Sequence, residues 1–405
     1  MEQQLHIALI ATHFAPEVTP ITHLYADLAE DLCRYGARVS VVTKLPGHDM
    51  TEEERAAFYD RRDVVAGWSH SALEKGVTAR SWLSARSERC RTRSPSIVAQ
   101  KNSRRTSTFF AAKPGRGLCT AREGSATRRG RSIFTGDLPD NLVAAASSTE
   151  WHPFVRLCRR MEQHIYRRNH AFITLSDEMK RTLVARGVQE EKIAVIPNWA
   201  DTNAIQPILR EENAMFDECN LPREGFYAVY AGTLGFLQEP DVILDAAKLL
   251  KNVLDIRILV FGDGSLRDHV ESRIVREQID NVLLFPLKST TQIAQIYSLA
   301  DVVLVPLKKG MTRIAVPSAT QLALAAGRPL IVSAEAGSEW ARSIERESFG
   351  LCITPGEPQE MADAILRLHA STVPMRELGA RARNYACEHA SREQATQAYF
   401  DWIRA

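Results

Sequence analysis

With 405 residues, 45% of them hydrophobic and 25% charged, the chain has an ordinary globular composition and is too long for one hydrophobic core, so two domains, or three, are expected. Its seven cysteines include no Cys-x-x-Cys pair, which argues against a metal cage or a disulfide framework and for a reducing compartment. The net charge of +2 conceals an asymmetry: residues 79–132 hold twelve Arg, two Lys and two Glu, a local +12 that leaves the rest of the chain at −10.

The chain opens on MEQQLHIALIATHF, an apolar strand with acid beside it and no basic flank, unlike a signal peptide. No apolar stretch approaches the roughly 18 residues that span a bilayer, so a soluble, cytoplasmic protein is expected. Residues 5–11 predict a buried parallel strand, and apolar positions Ile21, Leu24, Tyr25, Leu28, Ala29 and Leu32 recur at helical spacing. Gly36 ends that helix and Arg38–Thr43 begins the next strand, completing a βαβ unit. A short helix and loop are expected over 51–63.

From about 64 to 132 no helical or alternating period survives, and Arg, Ser, Thr, Gly and Ala dominate. Such a stretch cannot bury enough surface to offset its ordering entropy. Three readings are open: an arm for nucleic acid or an acidic polymer, a disordered insertion, or a shifted reading frame. Too few aromatics lie among the arginines for base stacking, so no nucleic-acid partner is expected. The third reading is favoured, because out-of-frame GC-rich DNA has this composition and order resumes abruptly near Phe134. On any of them the first domain would have an incomplete sheet.

Order then continues with a helix over 151–168, a strand at Ala171–Leu175, a helix capped by Ser176 and ended by Gly187, and a strand at Lys192–Ile196. A polar linker follows the Pro197-Asn198-Trp199 turn. In the second half apolar runs at 226–231, 256–261, 282–285, 301–305 and 328–333 alternate with helical patterns, which predicts a doubly wound α/β domain with its ligand at the carboxyl ends of the strands. Helices are expected near 339–347, 358–370, 375–389 and 391–404.

Four loops at those strand ends carry candidate chemistry. Gly232-Thr233-Leu234-Gly235 and Gly262-Asp263-Gly264 would let backbone approach a phosphate, or merely turn the chain. Val316-Pro317-Ser318 opens a helix whose first N–H groups and hydroxyl suit a diphosphate, the alternative being a plain N-cap. Gly337-Ser338-Glu339 puts a hydroxyl and a carboxylate after the next strand.

The succession GTLG, FGDG, PLKSTTQIAQIYSLADVVLVPL, PSxxxxLAAGRPLIVS and GSE resembles the nucleotide-binding half of family 4 glycosyltransferases, and PNWAD with Gln238 looks most like members that build colanic-acid-type exopolysaccharides. The resemblance implies the GT-B fold of two Rossmann-like domains: an acceptor-side domain over 1–200, a linker over 201–224, a donor domain over 225–388, and a terminal helix over 389–405 crossing back. It implies retaining transfer of a sugar from a nucleotide-sugar, used as substrate, to a glycan or lipid-linked acceptor, with no cofactor or essential metal. A lipid-linked acceptor would place the protein at the inner face of the membrane, in peripheral contact with it.

It also implies roles. The loop with Glu17 and Thr19 would approach donor phosphates and acceptor from the first domain, and Asp137 would lie beside the sugar C1. Gly232, Thr233 and Leu234 would meet the diphosphate; Gly262, Pro286, Leu287 and Lys288 would frame the base; Gln238, Pro317, Ser318, Gln321 and Glu339 would complete the donor site. Two positions depart from the family: Ala319 stands where it has Lys, and Leu322 where it often has Glu. Arg313 or Lys288 would have to replace the missing cation. The opposing reading is a catalytically inactive nucleotide-sugar-binding remnant.

Overall fold

The computed structural model describes residues 5–11, 22–41, 160, 163–164, 166–288, 291–311, 316–371 and 375–405, together with the backbone alone of 42–44, 64–65, 68–73, 106–111, 132–135 and 290. Of the expectations above, the helix over 51–63, most of that over 151–168, and Glu17, Thr19, Asp137 and Arg313 lie outside the described residues.

The first domain is built on β1 (His6–Ala11), α1 (Thr22–Arg34) and β2 (Arg38–Lys44), the βαβ unit its sequence spells. Gly36 turns the chain between them at φ +91, where a side chain would be strained. The sheet continues through β3 (Val64–Val65), β4 (Trp68–Leu73), β5 (Thr106–Ala111), β6 (Ser132–Thr135), β7 (Ala171–Thr174) and β8 (Ile193–Val195), in the order β3-β4-β2-β1-β5-β6-β7-β8. The incomplete sheet expected from the basic segment is therefore corrected. Trp68–Leu73 pairs in parallel with β2, and Thr106–Ala111 lies centrally between β1 and β6. A central parallel strand needs only five or so residues, and TSTFFA supplies β-branched and aromatic ones inside a segment whose average composition hides them. After β7, Ser176 caps α2 (Asp177–Ala185) by accepting from Met179 N at 3.2 Å, with Asp177 and Glu178 in the first turn.

The linker is not loose. It contains α3 (Met215–Glu218), with Met215 and Phe216 fully buried and Phe216 edge-on to Tyr227 at 5.7 Å. Its polar course is pinned by arginines: Arg210 forks onto Asp301 at 2.7 Å, and Arg328 and Arg383 donate to linker carbonyls.

The second sheet comprises β9 (Phe226–Thr233), β10 (Ile256–Asp263), β11 (Val282–Phe285), β12 (Val302–Val305), β13 (Leu330–Ser333) and β14 (Gly350–Ile353), all parallel, in the order β11-β10-β9-β12-β13-β14. Its helices are α4 (Pro240–Leu249), α5 (Arg267–Arg276), α6 (Ile293–Leu299), α7 (Ser318–Ala325), α8 (Glu339–Glu347), α9 (Pro358–His369) and α10 (Met375–His389). Four of the five expected strands are nearly or wholly buried hydrophobic runs, as sheets covered on both faces require. The sixth, β14, is a four-residue GLCI run without a β-branched repeat, too short to declare itself. Gly350 is required there, since a Cβ would sit 2.3 Å from Leu330 O.

The chain returns through α11 (Arg392–Arg404), whose Ala395, Tyr399 and Ile403 join the core of the first domain beside Leu28, Leu32 and Trp199. The two passages between domains pair at Ala200 and Ser391. Beside that bridge Arg392 contacts Asp27 (3.0 Å), Glu30 (2.7 Å), Asp31 (2.8 Å) and Asp201 (3.2 Å), while Trp199 donates to Asp27 at 3.2 Å.

Burial pushes the Asp27 carboxyl up to about 6, against the opposing pull of Arg392 and the Trp199 hydrogen bond, with Asp201 and Asp31 adding to the rise. The native state thus holds this proton more tightly than the unfolded chain, and its contribution to stability falls as pH rises from about 4 to about 6. Asp27→Asn keeps an acceptor for Trp199 and removes the burden. The melting temperature at pH 7.5 is expected to stay level or rise, and a drop of several degrees would show that the charge itself is needed.

Candidate functional site

The second sheet reverses its strand order between β9 and β12, and a doubly wound sheet opens its ligand crevice at such a switch point. The loops after those strands are zipped together. Gln238 bridges to Leu307, Glu239 N donates to Pro306 O at 2.8 Å, and the Lys308 ammonium lies 4.8 Å from the ring centre of Phe236.

Within the first loop Thr233 is exposed and Gly232 half-exposed, but Leu234 is fully buried. Leu234 N donates to Asp263 O at 2.8 Å and its carbonyl accepts from Leu266 N at 3.0 Å. Both its backbone groups and its side chain are therefore used to pack the neighbouring loop. This also explains the glycines of that neighbour. A Cβ at Gly262 would stand 2.9 Å from Gly232 O and from Leu234 Cγ, and one at Gly264, where φ is +138, would stand 2.5 Å from Leu234 O. Gly264→Ala is expected to cost about 2 kcal/mol or more, read as a lower urea midpoint. An unchanged midpoint would mean that the two loops are not locked together.

Arg267 was not singled out in the sequence. Its guanidinium donates to Gly262 O and, at 3.1 Å, to Phe285 O, tying the ends of β10 and β11, whose Phe261 and Phe285 rings stack at 4.8 Å. A basic residue opening a helix opposes the macrodipole, which was the available signal. Next to it Pro286 is exposed, Leu287 half-buried, and Lys288 pairs with Glu218 of α3, whose other oxygen accepts from Gln292 at 2.9 Å. Lys288 thus already has a counter-charge.

Helix α7 begins at the end of the β12 loop. Its N-cap is Pro317 in extended backbone, with no side-chain cap, as at α4, α5, α6 and α9, whereas Ser176, Ser338 and Ser391 cap α2, α8 and α11 with their hydroxyls. Ser318 is 9% exposed and Gln321 4%, while Ala319 is half-buried and Leu322 packs in the core. The entry to α7 is held from the domain junction, Asn198 Nδ2 donating to Val316 O at 3.0 Å. Two amide oxygens at this edge, Gln238 Oε1 and Gln321 Oε1, are buried with no hydrogen-bond partner among the described residues. After β13, Glu339 does not lie free at the strand end: its carboxylate accepts from Glu178 N of α2 at 3.4 Å. Burial raises its pKa, the α2 amides oppose the rise and the Asp177 charge adds to it. Among the described residues no group of three His, Cys, Asp or Glu could hold a metal ion, and no helix is long and apolar enough to cross a membrane.

Two parallel-sheet α/β domains with a switch-point site define a GT-B architecture. Residues 22–204 match the model of Glycosyltransferase Family 4 and residues 225–371 that of Glycosyl transferases group 1. The chain belongs to the family 4, group 1 glycosyltransferases. Among curated proteins it is 28% identical over 240 residues to the "Probable glycosyltransferase WbjE" of Pseudomonas aeruginosa (58% of this chain, 59% of that one). It is 24% identical over 233 residues to the "Putative colanic acid biosynthesis glycosyl transferase WcaI" of Escherichia coli (57% and 56%). The chain thus spans less than two thirds of the length of either relative. In fold it is similar to sucrose-phosphate synthase from Thermosynechococcus elongatus (TM-score 0.74, 17% identity, 99% and 98% covered). It is also similar in fold to HepE of Anabaena solved with UDP and glucose (TM-score 0.67, 14% identity, 98% and 99% covered).

Proposed function

We propose that the chain transfers a sugar, with retention, from a nucleotide-sugar to a glycan or lipid-linked acceptor in the assembly of cell-surface polysaccharide, and that it does so on the cytoplasmic side of the membrane. The observation that carries this reading is the α7 start at the β9/β12 switch point. A helix N-terminus with no side-chain cap there favours an anion, and a diphosphate supplies one. The unpartnered oxygens of Gln238 and Gln321 support a sugar beside it, because amide oxygens need donors and a diphosphate at neutral pH has none, whereas sugar hydroxyls do. In the reaction the α7 amides would take up charge developing on the leaving diphosphate. WbjE and WcaI are named as glycosyltransferases, the latter in colanic acid biosynthesis, and HepE was solved with UDP, which favours a nucleotide-sugar donor here.

The test is to incubate the chain with UDP-sugars and GDP-sugars in turn, with and without a polyprenyl-diphosphate acceptor, and to measure nucleoside diphosphate release. Release that rises with acceptor is expected. Binding without release would turn the reading into that of an inactive remnant, and absence of binding would overturn it.

A further inference from the structure

We infer that Glu339 is a positioning residue that docks the donor edge of the second domain onto helix α2 of the first, so that the closed joint is part of the donor site. The inference rests on the reading above only for its link to the donor; the contact itself is geometric.

Helix α2 and helix α8 present their N-terminal turns to one another. Each has its own serine cap, Ser176 accepting from Met179 N and Ser338 from Ala341 N at 3.3 Å. A single serine satisfies one of the first amides of a helix and leaves others to be met elsewhere. At α2 they are met from the other domain: Glu339 accepts from Glu178 N and also faces the amide of Asp177. The contact bridges 161 positions of sequence.

The residues behind this polar bridge belong to the apolar core. One continuous buried cluster contains Met179 and Leu183 of α2 together with Trp340 and Ile344 of α8. Trp340 is the residue after Glu339 and is 8% exposed. The cap itself is half-buried, at the margin of that core.

Asp177 and Glu178 face the same turn, so the Glu339 charge meets two like charges there. The acceptor oxygen rather than the full charge is what the joint uses. That separates docking from phosphate or metal chemistry, in which the charge itself would matter. It also fits the place of Glu339 directly after β13, one strand from the α7 start. A displaced α8 would leave the crevice open on that side.

Amide hydrogen exchange of the wild-type chain decides between docking and a purely local role. Asp177 and Glu178 amides, normally unprotected at a helix start, are expected to be protected, and Glu339→Ala to speed their exchange about fivefold or more. Glu339→Gln, which keeps an acceptor and drops the charge, is expected to restore protection. The same two variants are titrated with UDP and with GDP: weaker binding in Glu339→Ala and recovery in Glu339→Gln are expected. Unchanged exchange in Glu339→Ala overturns the docking role whatever the nucleotides do. Faster exchange with unchanged nucleotide affinity overturns the coupling to the donor site. If neither nucleotide binds the wild type, the proposed function falls and the coupling with it, while the exchange result still decides the docking contact.

Discussion

Arg392→Ala is expected to destabilise the chain by about 3–5 kcal/mol and to loosen the joint between its domains. Arg392 is 15% exposed and stands among four carboxylates, of which Asp31 is 1% exposed and receives two of its hydrogen bonds. Truncation leaves the half-buried Asp27 without its cation and the buried Asp31 with only the exposed Arg34, 3.1 Å away, and a buried charge short of its partner is far more costly than the loss of a surface pair. The effect reaches both domains, because Asp201 lies on the outgoing passage, Arg392 on the returning one, and Asp27, Glu30 and Asp31 on α1. Urea unfolding followed by Trp fluorescence is the readout, and Trp199 sits inside the network. Arg392→Lys keeps a charge without the planar fork that serves several acceptors at once, and is expected to recover only part of the loss. A midpoint unaffected by Arg392→Ala would mean that the α11 apolar face alone holds the terminal helix in place.

The hub also shows where sequence reasoning reaches its limit. The amphipathic pattern of α11 was legible from Tyr399, Phe400, Trp402 and Ile403, but its partner lies more than 360 positions away, and no local signal ties Arg392 to Asp31. The donor-side strands were legible for the opposite reason, since buried parallel strands are continuous apolar runs. Their glycines were read either as places where backbone meets a phosphate or as plain turns. At Gly262 and Gly264 the immediate constraint is the packing of Leu234, a residue the same reading had turned toward the ligand. Lys288 and Glu339 were read as site residues at strand ends, and in the fold one meets Glu218 of the linker and the other the start of α2. Such pairings depend on three-dimensional neighbours. The basic segment misled through its average: arginine content over some fifty residues conceals the short strand at Thr106–Ala111. Whether its coding frame is shifted is a property of the gene, decided by translating codons 64–132 in the other two frames and looking for alternating apolar strands.

Ala319→Lys is the variant that most sharply tests the α7 assignment, because its two expected effects have opposite signs. Ala319 lies in the first turn of α7, half-buried, behind the Pro317 cap. A lysine there opposes the helix dipole and should cost a few tenths to about 1 kcal/mol of stability. If the diphosphate sits on this turn, the same ammonium gains a charge-assisted contact worth about 1.5–3 kcal/mol, or roughly 10- to 100-fold in affinity. Lys288, paired with Glu218, cannot supply that charge without giving up its partner, so the wild type is expected to hold the diphosphate mainly through backbone amides and Ser318. The measurement is calorimetric titration with UDP and with GDP at two salt concentrations. Tighter binding in Ala319→Lys, with a steeper salt dependence and a slightly lower melting temperature, is the expected result. A lower melting temperature with no gain in affinity would put the diphosphate elsewhere along the strand ends, and would leave the α7 turn as no more than a helix start.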